Sequence, residues 1–159
     1  MSKRQAPNLK KLLTKACLTN LEDSAKVSKC QDKRCCTCNH IIEGNQILFN
    51  NQDKPFKVKK NMNCLAKNVI YVIICKGCKK QYIGQTCDLR KRVNVHRHHI
   101  KDSSAAKLPM SAHIASCSPN MDFSIFPFYK MNNDDKQERL IKEEYFIKKY
   151  KPELNALNF

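Results

Sequence analysis

Cys75-x2-Cys78 and His113-x3-Cys117 are two pairs of soft metal donors in one chain. A Cys-x2-Cys pair alone serves a redox dithiol equally well, but a redox pair opens a helix, where the dipole lowers the thiol pKa. This one sits between two strand-like runs. His113 and Cys117 are four apart on an expected helix and project from one face. The four together make a tetrahedral zinc set of three thiolates and one imidazole; apart from such a site, His113 and Cys117 are ordinary helix-face residues. A second group, Cys30-x4-Cys35-x2-Cys38 with Cys64, supplies an all-thiolate zinc set, in which Cys36 or His40 can replace any one member. Structural zinc supplies roughly 10–16 kcal/mol of folding free energy, enough to replace a missing core. Cys17 and Cys87 are left as spare thiols.

Other side chains point to hydrolytic chemistry. Arg92 and His96 stand one helical turn apart on the shoulder of an apolar stripe, Leu89, Val93 and Ile100. There a partly buried cation can meet an anionic ligand. Glu143 falls on the shoulder of a second stripe, read as Leu140, Ile141 and Ile147. Tyr71 and Tyr82 lie on two expected strands that can pair and point to the same side. One carboxylate, one arginine, one histidine and two phenols suffice for metal-assisted phosphodiester hydrolysis. Taken singly, each also reads as a surface charge or an ordinary strand residue.

These residues need elements to hold them. Asn68–Ile74 and Gln81–Gly84 are β-branched or aromatic runs around a polar gap containing Gly77, and read as a hairpin. A helix over Asp88–Ile100 carries Arg92 and His96, and a shorter one over Ala105–Ser116 carries His113 and Cys117. Phe123–Tyr129 reads as a third strand, at a sheet edge because of Pro127. A last helix, from about Asp134 to Tyr150, stops before Pro152. Upstream, residues 22–67 are polar and cysteine-dense, with short strand-like runs at Gln46–Phe49 and Phe56–Val58, and cannot bury enough apolar surface alone. Asn8–Leu21 reads as a short basic helix.

The chain has 159 residues, ten cysteines, three glycines and a net charge of +16. The positive excess is shared by both halves of the chain and fits a polyanionic partner, most simply nucleic acid. No apolar run reaches the roughly 18–20 residues of a membrane span, and Met1–Leu13 lacks the apolar core of a signal peptide. Cysteines in such a chain are expected to ligate metal in a reducing compartment, intracellular or nuclear, rather than to form disulfides.

The spacing carries a resemblance. Val69-Ile70-Tyr71 followed eleven residues later by Tyr82-Ile83-Gly84 resembles the GIY-YIG nuclease signature, with Val69 in place of its first glycine. Arg92 stands eight residues after Gly84, where that family has its catalytic arginine, and His96 follows one turn later. The stretch EEYFIKKYKPELN resembles the end of the UvrC nuclease domain and selects Glu143 and Asn155. The resemblance implies an α/β (α+β) fold with a three-stranded antiparallel sheet flanked by helices. It also implies a catalytic set of Tyr71, Tyr82, Arg92, His96, Glu143 and Asn155. Glu143 would hold Mg²⁺ or Mn²⁺, and Arg92 would stabilise the transition state. Tyr71 or Tyr82 would align or deprotonate water, helped by binding of that water to the metal or by Lys79 or Lys80, and His96 would be the acid or orienting group.

The thiol pair between the strand motifs, with a downstream Ala112-His113, is similar to the endonuclease domain of Penelope-like retroelements. In that group a metal site staples the hairpin to a helix; here its last ligand would be Cys117 in place of a histidine. The expected organisation is a basic helical linker over 1–27, a zinc-binding segment over 28–67 and the nuclease domain over 68–158. DNA is the implied partner, with RNA or a reverse-transcriptase domain as further ones. A non-catalytic nucleic-acid-binding remnant and a structure-specific repair nuclease are the competing readings.

Overall fold

The structure, a computed structural model, describes residues 25–102, 108–118, 120 and 122–155. The expected helix over Asn8–Leu21, and Cys17 within it, lie outside these residues. Strand β1 (Gln46–Ile47) and strand β2 (Phe56–Lys57) form a small antiparallel ribbon. The main sheet contains β3 (Lys67–Cys75), β4 (Gln81–Asp88) and β5 (Phe123–Lys130) in the order β4-β3-β5, all antiparallel. Among the described residues three α-helices accompany it: α1 (Leu89–Lys101), α2 (Pro109–Cys117) and α3 (Lys136–Tyr150).

β3 is the central strand, and Val69 to Ile73 are buried without alternation. Both faces of this strand are covered, so both sets of side chains must be apolar. β5 is a sheet edge as Pro127 requires, with a register shift opposite Ile70 and Tyr71. Its outer side is closed in part by the Cys-rich segment: Ile42 donates to the Ile125 carbonyl at 2.9 Å, and Ile125 donates to that of His40 at 2.8 Å. At the other edge, Leu154 donates to the Gln81 carbonyl at 3.0 Å. Both bare edges thus lose hydrogen-bonding groups that would otherwise invite foreign strands.

Helix ends follow local chemistry. Asp88 caps α1 by accepting from Lys91 N–H, and Asp135 caps α3 by accepting from Gln137 and Glu138 N–H, as N-cap carboxylates do. α3 ends at Lys151, in the left-handed region with φ 46°, just before Pro152. Among the described residues α2 begins at Pro109; the expected start at Ala105 lies outside them. Proline is pre-organised for the first helical position, and Leu108 before it is extended.

The Cys-rich segment is not held by its cysteines alone. Phe49 stacks on Tyr150 at 3.9 Å between ring centres and meets Phe128 edge-on at 5.2 Å, while Phe56 meets Phe146 at 6.0 Å. Val27, Ile41, Val58 and Met62 join the same core as the sheet. The expected stripe on α3 is corrected at Leu140 and Ile141, which are 37% and 67% exposed, while Ile147 packs against the core as expected; the inward face is Arg139, Phe146 and Tyr150 with Glu143 between them.

Candidate active site and metal centres

Tyr71 on β3 lies opposite Gly84 on β4, and Ile73 lies opposite Tyr82. The two phenols therefore occupy one face of the hairpin, two residues apart along it. Gly84 is required by this arrangement. A Cβ there would stand 2.6 Å from the Tyr71 hydroxyl and 3.0 Å from the Tyr82 ring. Gly84→Ala should therefore cost about 1–3 kcal/mol of stability through overpacking, read as a lower urea midpoint; an unchanged midpoint would show that Tyr71 can move aside. Val69, which replaces the signature glycine, is fully buried and paired with both Thr86 and Lys130. The strand that carries Tyr71 accommodates it as a core side chain.

α1 lays Arg92 and His96 against Tyr71. Arg92 Nε donates to the Tyr71 hydroxyl at 3.2 Å, and His96 Nε2 lies 2.8 Å from the same oxygen. Since the phenol oxygen accepts from Arg92, its single proton goes to His96, whose neutral ring then carries its own proton on Nδ1. Among the described residues that Nδ1 has no hydrogen-bond partner. His96 is fully buried, not at the partly buried edge of the packed face, and it is not a cation. Burial, with Arg92 and His99 close by, holds its pKa down to about 3. Burial also raises both phenols; the neighbouring Tyr82 adds to the effect on Tyr71, and Glu143 adds to that on Tyr82. Both are neutral at physiological pH.

Glu143 arrives from α3 on the other side of β4. Burial raises its pKa to about 7, against the pull of Arg92 and the Gln85 backbone N–H. Among the described residues it is the one carboxylate whose charge acts on Tyr71, Tyr82 and Arg92. The helix is oriented by Arg139, one turn earlier, whose guanidinium donates to Gln85 Oε1 at 3.1 Å, Asn68 Oδ1 at 2.8 Å and Asp134 Oδ1 at 2.9 Å. Sequence reasoning missed Arg139, although its spacing of four, seven and eleven residues to Glu143, Phe146 and Tyr150 marks one helix face.

Asn155 does not enter this cluster with its polar atoms. Its amide accepts from Ile83 N–H at 2.7 Å and donates to the Ile83 carbonyl at 2.9 Å, which fastens the C-terminal segment to β4 beside Tyr82. Lys79 and Lys80 stand in the turn at the far end of the hairpin, and neither acts on a phenol.

The two sets of soft donors assemble as their spacing implied. Ligand atoms of Cys30, Cys35, Cys38 and Cys64 all lie within 4.8 Å of one another, as do those of Cys75, Cys78, His113 and Cys117. Cys38 Sγ is 3.5 Å from the sulfurs of both Cys30 and Cys64, close to the edge of about 3.8 Å in a zinc–thiolate tetrahedron. Cys78 Sγ is 3.1 Å from His113 Nε2. In the first set, burial opposes ionisation of Cys35, but hydrogen bonds from Cys30, Cys38 and Cys64 bring its thiol down to about 6. Burial pushes Cys64 up. In the second, the hydrogen bond with Cys78 raises Cys117 to about 11. A donor set that resists ionising together without a cation fits a divalent soft metal. His40 is excluded, being stacked on Phe123 at 4.4 Å and bonded to its carbonyl at 3.0 Å. Cys36 and Cys87 are exposed and outside both sets. Gly77 lies under the second set because a Cβ there would overlap the Cys117 carbonyl.

Among the described residues no helix is long and apolar enough to cross a membrane. No curated protein and no solved structure matches the chain significantly. The sequence profile of the GIY-YIG catalytic domain matches residues 67–158, which is more than half of the chain and holds both tyrosines, Arg92, His96, Glu143 and Asn155. With the small α+β fold described above, this places the chain in the GIY-YIG nuclease family.

Proposed function

We propose that the protein is a divalent-metal-dependent DNA endonuclease that hydrolyses phosphodiester bonds, nicking target DNA for insertion of a Penelope-like retroelement in the nucleus. The observation that carries the nuclease reading is the convergence of Arg92, Tyr71, Tyr82 and Glu143, from two strands and two helices, into one electrostatically coupled group. Arg92 is half-buried and held charged by the phenols and Glu143, against the cost of its burial. It is placed to bind a phosphate oxygen and to stabilise charge that grows there.

A half-buried carboxylate with no salt-bridge partner among the described residues suits a hard cation, Mg²⁺ or Mn²⁺. When bound, that cation supplies Lewis-acid activation of the phosphate and of water. The phenols stay protonated and orient the nucleophile. His96 cannot serve as an acid at neutral pH, because its imidazolium is not populated; it accepts the Tyr71 proton and fixes that hydroxyl. Zinc in the two cysteine-rich centres is structural and distinct from the catalytic ion.

The deciding experiment is nicking of supercoiled plasmid with Mg²⁺ or Mn²⁺ by wild type and Glu143→Ala. The wild type should nick and the variant should be slower by about 10²-fold or more. Equal nicking by both, or none by either, overturns the enzyme reading; the second result would assign the fold to a non-catalytic nucleic-acid binder. Branched and linear duplexes cut equally would separate it from a structure-specific repair nuclease.

A further inference from the structure

On the β5 side of the sheet, with β3 between it and β4, three shallow concavities run into one another. The first, of about 220 Å³, is lined by Lys59, Lys60 and Lys130 over Phe56 and Tyr129. It shares Tyr129 and Asn132 with a second, of about 320 Å³, that contains Lys142. It shares Phe56 and Lys59 with a third, of about 410 Å³, lined by Lys54, Lys57 and Lys149. Among the described residues the only carboxylate lining any of the three is Glu138, which accepts a hydrogen bond from Asn133 at 2.6 Å. Lys54, Lys57, Lys59 and Lys60 come from one short stretch around β2, and the fold adds Lys130 from β5 and Lys142 and Lys149 from α3.

None of these lysines has a carboxylate within salt-bridge reach among the described residues, whereas Lys29, Lys67, Lys76 and Lys148 do. Two of the ammonium groups are also held over aromatic rings: Lys142 lies 4.8 Å from the Tyr129 centre and Lys149 lies 5.3 Å from that of Tyr150. Gathering like charges without counter-charges raises the energy of the fold, and an anion bound across them relieves that repulsion. The spread over three linked concavities calls for a polyanion, not a single phosphate. Among the described residues no arginine lines the surface, so it lacks the planar forks that read base edges; lysines act as point charges suited to a phosphate backbone.

We infer that this lysine surface is a second, non-catalytic binding track for the backbone of duplex DNA, separate from the Tyr71–Arg92–Glu143 cluster and indifferent to base sequence. It deepens the nuclease reading and rests on it for the choice of DNA as the polyanion. DNA held here is not DNA being cut; the track anchors a flanking part of the substrate.

The test uses the full chain, a fluorescein-labelled 30-bp duplex and no divalent cation, so that binding is read without cleavage. Removing one ammonium that neutralises a phosphate flattens the slope of log affinity against log salt by about 0.9. Lys57→Gln, Lys59→Gln and Lys130→Gln combined should flatten the slope by about 2–3 and weaken binding at 0.1 M salt by roughly tenfold or more. The control, Lys26→Gln, Lys33→Gln and Lys101→Gln, removes the same charge elsewhere and should change the slope by less than about 1. Equal changes in the two triple variants, or none in the first, overturn the proposal, as does displacement of the duplex by poly-glutamate more readily than by unlabelled DNA. A wild type that binds with the expected slopes but does not nick plasmid sinks the nuclease reading and leaves the track standing.

Discussion

Replacing Tyr71 by phenylalanine should slow DNA nicking by about 10²–10⁴-fold while leaving the protein folded. The hydroxyl ties the catalytic face of α1 to β3, accepting from Arg92 and donating to His96. Removing it frees the guanidinium to turn and leaves the buried His96 Nε2 without its donor. The stability cost of that orphaned acceptor is about 1–3 kcal/mol, to be read separately by urea melting. The rate falls further than stability because Arg92 must be held where negative charge grows, and a displaced charge loses most of its benefit. Unchanged nicking by Tyr71→Phe would reduce the contact to packing.

The pH dependence belongs to the same cluster. Glu143 has its pKa raised by burial to about 7, above that of a free glutamate. The folded protein therefore holds this proton more tightly than the unfolded chain. The resulting stability is fully present below the ordinary carboxylate range and is lost as pH rises through about 7. Affinity for Mn²⁺ runs the opposite way, because a cation binds only the ionised carboxylate. It should strengthen up to about tenfold per pH unit below 7 and level off above it, as measured by calorimetric titration. Affinity that is flat between about pH 5 and 8 would remove Glu143 from the cation site.

Cys64→Ser should have the largest effect on stability. Cys64 is fully buried, and it is followed within three residues by Lys67, the first residue of β3. As a ligand of the proposed zinc centre, its thiolate would tie the Cys30–Cys38 loop to the strand of the first tyrosine. Zinc binding by small domains carries about 10–16 kcal/mol, against a net stability of about 5–15 kcal/mol for a whole domain. The variant should lose one of two zinc ions per chain by native mass spectrometry, and limited proteolysis should cut within residues 28–66. The ring stack of Phe49 on Tyr150 limits the damage to that segment. Two zinc ions retained, with unchanged protection, would show that the four thiols do not form a metal centre. The coupling reaches α1 as well, since Arg90 donates to Cys30 Sγ at 3.4 Å.

Much of this molecule is legible without coordinates, because its strongest signals are local. The unbroken apolar run of β3, the polar turn with Gly77 and the capping aspartates state the elements directly. Both soft-donor sets follow from residue type and spacing, since a tetrahedral site accepts few ligand arrangements. The strand motifs place two phenols on one face because the side-chain period of a strand is two.

Only the tertiary structure decided what a hydropathy pattern reads wrongly. α3 buries the face that carries Arg139, Glu143, Phe146 and Tyr150, and leaves Leu140 and Ile141 to solvent. An arginine and a glutamate face inward there because Asn68, Gln85 and Arg92 meet them, partners that lie far away in sequence. His96 reads as a shoulder cation and is in fact a buried neutral acceptor, since packing of α1 against β3 and β4 removes the water that would stabilise its charge. The Cys-rich segment shows the same division. Its set of four soft donors is written in the sequence. The aromatic core it shares with β5 and α3, and the lysine surface that results, exist only once the chain has closed on itself.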